Sequence, residues 1–79
     1  MATVRLFAAA AEAAGVDEAV VTGAATVGEL RTRLTDRFGD DLARVLRQCS
    51  IIVDRVRADD HAPVGDGSLV DVLPPFAGG

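Results

Sequence analysis

The 79-residue sequence has no lysine, tryptophan or tyrosine, and only one cysteine, one histidine and one methionine. A lone Cys49 cannot close an internal disulfide and fits a reducing compartment, so the cytoplasm is the expected location. With lysine missing, all eight cationic side chains are arginines, set against twelve carboxylates for a net charge of −4. Phosphate neutralisation needs a basic face, which makes nucleic acid a poor partner. A protein with a basic surface suits the chain better. The only aromatics are three phenylalanines, so the core must be built from Val, Leu, Ile and Ala. No apolar run approaches the ~20 residues that cross a bilayer, and no membrane association is expected. Thr3-Val4-Arg5-Leu6 alternates where a secretory leader would show a basic end and a long apolar run. A chain this short makes one domain, with a modest core and no deep enclosed active-site cavity. It also carries no Ser-His-Asp set, no Gly-rich phosphate loop and no metal-ligand cluster, so no metal is expected.

What is present is periodic. Thr3 to Phe7 alternates with period two, putting Val4 and Leu6 on one face and Thr3, Arg5 and Phe7 on the other. Ala8 to Ala14 is alanine-rich and predicts a short helix, stopped by Gly15. Glu18 to Thr22 reads as a second strand. Thr26-Val27-Gly28-Glu29 has the spacing of a capping box. Val27, Leu30, Leu34 and Phe38 then form one apolar stripe, and Gly39 closes that helix. Asp40-Asp41 starts a shorter helix carrying Leu42, Val45 and Leu46, where negative charge suits the helix dipole. Ser50 to Val53 predicts a strand covered on both faces, with Asp54-Arg55 and Asp59-Asp60-His61 as turns. Pro63 to Gly67 is a tight turn, and Leu69 to Leu73 is the last strand, ended by Pro74. Two strands, a long helix and further strands is the order of a β-grasp domain. The fold expected is therefore α+β: a mixed sheet with one main helix across it.

The chain divides into a domain, residues 1–73, and a tail, residues 74–79. Between Ser68 and Gly79 the only charged side chain is Asp71. Pro74-Pro75 favours an extended segment with little entropy left to lose on docking. Extended, the six residues from Pro74 to Gly79 span at most ~20 Å, enough to enter a partner's pocket. Gly78 and Gly79 lack a Cβ, fit a narrow channel and leave the last carbonyl open to attack. A terminal carboxylate is ionised and unreactive at neutral pH. It becomes useful once another enzyme activates it, for instance by adenylation.

The ending "DGSLVDVLPPFAGG" resembles that of the MoaD/ThiS family of ubiquitin-like sulfur carriers, and most that of the small subunit of molybdopterin synthase. The resemblance extends to the opening Val4 to Ala8, the helix bounded by Gly15, the capped helix from Thr26, the Asp66-Gly67 turn and the length. It implies a β-grasp fold with a projecting C-terminal tail. It implies that an ATP-dependent, ubiquitin-activating-like enzyme adenylates the Gly79 carboxylate and that a sulfur donor converts it to a thiocarboxylate. The tail, from Pro74 and Pro75 through Phe76 and Ala77 to Gly78, would then enter the large subunit of molybdopterin synthase, where the sulfur builds the dithiolene of the molybdenum cofactor. The chain itself would be a non-catalytic, sulfur-donating subunit. It would hold no tight cofactor, only the transient acyl-adenylate and the thiocarboxylate.

Phe7, Leu69 and Leu73 are the candidate partner interface, if their strand faces coincide; the alternative packs Phe7 under the first helix. Phe76 is a docking anchor in the same scheme. Cys49 reads as core filler more readily than as a persulfide carrier, and His61 as a solvated loop residue. Two positions depart from the resemblance: Ala11 where many relatives carry Arg, and Asp54-Arg55 where many carry Asn-Gly. Other readings are the same carrier chemistry serving thiamin or cysteine synthesis, a ubiquitin-like modifier joined through Gly79, and a plain interaction domain.

Overall fold

The computed structural model describes residues 1–75. Strand β1 (Ala2–Leu6) leads through a turn into helix α1 (Ala9–Ala14), and β2 (Glu18–Val21) returns antiparallel beside β1. Helix α2 (Val27–Phe38) and helix α3 (Asp40–Leu46) follow, then the hairpin β3 (Ser50–Val53) and β4 (Val56–Ala58), and finally β5 (Leu69–Leu73). The five strands lie in the order β2-β1-β5-β3-β4, with β1 and β5 parallel and the other neighbours antiparallel. This is the β-grasp arrangement that the order of elements predicts. The last strand is central, bonded to β1 on one side and β3 on the other.

Local chemistry explains most boundaries. Gly15 ends α1 in the left-handed conformation (φ 78°), where its N–H reaches the Ala11 carbonyl and a side chain would be strained. Thr26 caps α2: its hydroxyl oxygen accepts from the Glu29 amide at 3.2 Å. The reciprocal half of the capping box differs from expectation. The Glu29 carboxylate takes the Thr26 hydroxyl at 3.4 Å, while the next N-terminal amides are held by the loop after β4. The Val27 and Gly28 amides donate to the Ala62 and Asp60 carbonyls at 3.0 and 2.9 Å. A Cβ on Gly28 would lie 3.3 Å from the Asp60 carbonyl, so that close approach favours the bare residue.

All helices pack on one face of the sheet. Val4, Leu6, Val70, Val72 and Ile51 meet Val27, Leu30, Leu34, Leu42 and Leu46 in one core. Burying each such side chain stabilises by ~1.5–3 kcal/mol before conformational entropy is subtracted. Phe38 ends the α2 stripe only partly buried, with the Arg37 guanidinium 5.0 Å from its ring centre. The core is aliphatic, as the shortage of aromatics requires.

One strand differs from its reading. Ser50 to Val53 was expected to be covered on both faces, yet only Ile51 is buried. The other face of the sheet carries no helix, which leaves Ile52 half-exposed there.

Candidate functional site

The site is built around the end of β5. Alternation sends Val70 and Val72 into the core and leaves Leu69, Asp71 and Leu73 half-buried on the open face. Hydrogen bonding on both sides fixes the direction in which the chain leaves the sheet at Leu73. Pro74 is half-buried and Pro75 exposed. Gly79, Gly78, Ala77 and Phe76, the rest of the candidate site, lie outside the described residues.

Phe7 stands just beyond β1, 40% exposed and outside the core. It is aimed by a type II′ turn from Phe7 to Ala10, closed by the Ala10 N–H on the Phe7 carbonyl at 3.1 Å. The first central residue, Ala8, has φ 52° and ψ −126°. The β1–β5 register pairs Leu6 with Val72, so Phe7 follows beside Leu73 at the root of the tail. Leu69 pairs with Thr3, near the other end of the strands. The three apolar residues therefore share a face, but only Phe7 and Leu73 are adjacent.

Between them runs a feature that strand patterns alone did not show. Arg5 and Asp71 are direct neighbours on β1 and β5. The guanidinium holds the carboxylate in a two-pronged ion pair, Nε to Oδ1 at 2.6 Å and Nη2 to Oδ2 at 3.0 Å. The Asp71 side chain is largely covered and that of Arg5 half-exposed. The hydrogen bonds that Arg5 donates to Asp71 raise the Arg5 pKa further. Sequence could mark Asp71 as the sole charge near the tail, but pairing it with Arg5 requires the parallel register.

The remaining candidates have structural duties. Burial pushes the Cys49 thiol above the ordinary thiol range, with Arg31 opposing the shift, so the thiol is held neutral at physiological pH. Asp60 accepts from Arg31 Nε at 2.8 Å, and Asp41 faces Arg44 at 3.4 Å. His61 is exposed in the turn after β4. Asp54 and Arg55 both take positive φ, 47° and 72°, as the two central residues of a type I′ hairpin turn. Asp54 also accepts the Leu69 amide on Oδ1 at 2.9 Å, tying the hairpin to the start of β5. Ala11 is partly buried against the core. Among the described residues no His, Cys, Asp and Glu side chains cluster as a metal site would require. No helix among them is long and apolar enough to cross a membrane.

Comparison with known proteins agrees with this geometry. The ThiS family model matches residues 4–79, nearly the whole chain, and the chain belongs to that family of ubiquitin-like sulfur carriers. Among solved structures, SAMP1 from Haloferax volcanii is similar at TM-score 0.78 and 26% identity, over 99% of this chain and 98% of that one. The complex of subunits 1 and 2 of the molybdopterin-converting factor from Helicobacter pylori matches at TM-score 0.71 and 26% identity, over 99% and 97%. The BexX/CysO complex of Amycolatopsis orientalis matches at TM-score 0.83 over 100% of both chains; at 24% identity it speaks for the fold alone. Among proteins of curated function, none matches the chain.

Proposed function

We propose that this chain is the sulfur-carrying small subunit of a molybdopterin synthase, loaded and unloaded at the Gly79 carboxyl. An adenylating enzyme joins that carboxylate to the α-phosphorus of ATP and releases pyrophosphate. A sulfur nucleophile then displaces AMP, which leaves with one carboxyl oxygen, and a thiocarboxylate remains. The tail from Pro74 to Gly79 carries it into the large subunit, whose side chains supply the acid–base chemistry of dithiolene formation. The observation that carries this reading is the position of β5. A central strand, bonded on both sides and ending at Leu73-Pro74, gives the tail a fixed root beside Phe7 and Leu73.

Family membership supports the carrier chemistry. The Pro74-Pro75 pair and the likeness to a molybdopterin-converting-factor complex favour the molybdopterin route over thiamin or cysteine synthesis. The likeness to SAMP1, a small archaeal modifier protein, favours a second reading in which Gly79 is joined to amines of other proteins. Reconstitution separates the two. Thiocarboxylated chain, large subunit and cyclic pyranopterin precursor are expected to yield molybdopterin and return the plain carboxylate. Conjugates on other proteins without molybdopterin would favour the modifier.

A further inference from the structure

On the open face of the sheet, one residue from each strand falls into a single register row: Glu18, Arg5, Asp71, Ile52 and Arg57, crossing from β2 to β4. The row separates an apolar group of Val20 and Leu69 from that of Phe7 and Leu73. Its charges alternate across the first three strands.

Arg5 is held in place on this row by its ion pair with Asp71. Two of its guanidinium nitrogens are committed to Asp71, and Nη1 has no partner among the described residues. Asp71 already has both oxygens bonded. Glu18 sits exposed on the edge strand opposite Arg5, where its charge favours the cation without a hydrogen bond to it. A protein seated on this face would strip water from Nη1 at its centre. A buried donor left without an acceptor weakens binding, and more so when it is charged.

We infer that Arg5, oriented by Asp71, is a specificity-determining residue, and that the adenylating partner seats an acceptor, a carboxylate or backbone carbonyl, on its outward edge, between the apolar groups of Val20 with Leu69 and Phe7 with Leu73. A partner with such a group gains a charge-assisted bond from a donor already held in place. A partner lacking it leaves the Nη1 donor without an acceptor. The net charge of −4 attracts basic proteins in general, and the central acceptor distinguishes one among them. The inference rests on the carrier reading above.

The test is adenylation of the full chain by the ubiquitin-activating-like enzyme of the same organism, read as ATP–pyrophosphate exchange against carrier concentration. Two variants are compared with the wild type. In the first, Arg5→Met with Asp71→Leu, both charges are removed and the face becomes more apolar. If the pair only held β1 to β5, KM would stay level or fall. The inference predicts a KM about tenfold higher, as loss of one charge-assisted bond requires, with the melting temperature close to wild type. The second, Arg5→Lys, keeps the charge but loses the fork, and KM should lie between the other two. It decides the matter if the double variant melts low, since a wild-type KM for Arg5→Lys would overturn the inference. A wild-type KM for a folded double variant would overturn it as well, leaving the carrier reading intact. No exchange with the wild-type chain would sink both.

Discussion

Ala8 occupies the position of a type II′ turn that normally calls for glycine, at φ 52° and ψ −126°. An L-residue held there stores about 1–3 kcal/mol, whereas glycine adds ~0.5–1 kcal/mol of unfolded-state entropy. Ala8→Gly is therefore expected to stabilise by ~1 kcal/mol, raising the melting temperature by about 4–8 °C in calorimetry; a lower melting temperature would contradict the strain. Cys49 sits at the other extreme of reactivity. Burial raises its folded-state thiol pKa, so its contribution to stability is complete below the unfolded thiol pKa and is lost as pH rises through the folded value. Alkylation by iodoacetamide near pH 8 should be clearly slower than that of free cysteine, and reaction at the free rate would revive a sulfur-relay role. At this scale the sequence is informative about kinds of residue and silent about backbone angles. Nothing in Phe7-Ala8-Ala9 announces a II′ turn, and Asp54-Arg55 shows its I′ geometry only once the hairpin closes.

The elements were more legible. The Val27, Leu30, Leu34 stripe and the Thr26 cap place α2 because helical period and capping are local properties. Leu34 is 1% exposed in the core, and Leu34→Ala should cost ~2–5 kcal/mol, enough to unfold much of a domain this small. Thr26→Ala removes one cap and should cost ~1 kcal/mol in chemical denaturation. Strand partners were the illegible part. Alternation in Thr3 to Phe7 and Leu69 to Leu73 gives each strand two faces. It does not tell that β1 and β5 run parallel with Arg5 against Asp71. That pairing joins residues 66 apart in sequence. The same ignorance of neighbours explains why Ile52 was expected to be covered, since an open sheet face is a property of the whole packing.

For the whole molecule, the proposed function assigns folding and sulfur loading to different parts of the chain. The helices and the inner sheet face form the buried core, while the proposed function gives the outer face and the tail root to partners. Deleting Gly79 should therefore leave the melting temperature within about 1 °C of wild type, because terminal residues contribute little to a core. The most direct measurement is the intact mass of the chain after incubation with the adenylating enzyme, ATP and a sulfur source. The full chain is predicted to exchange one oxygen for sulfur, mapped to its C-terminal peptide, and the Gly79-deleted chain to remain unchanged. No exchange with an active enzyme, or sulfur mapped to Cys49, would contradict the account.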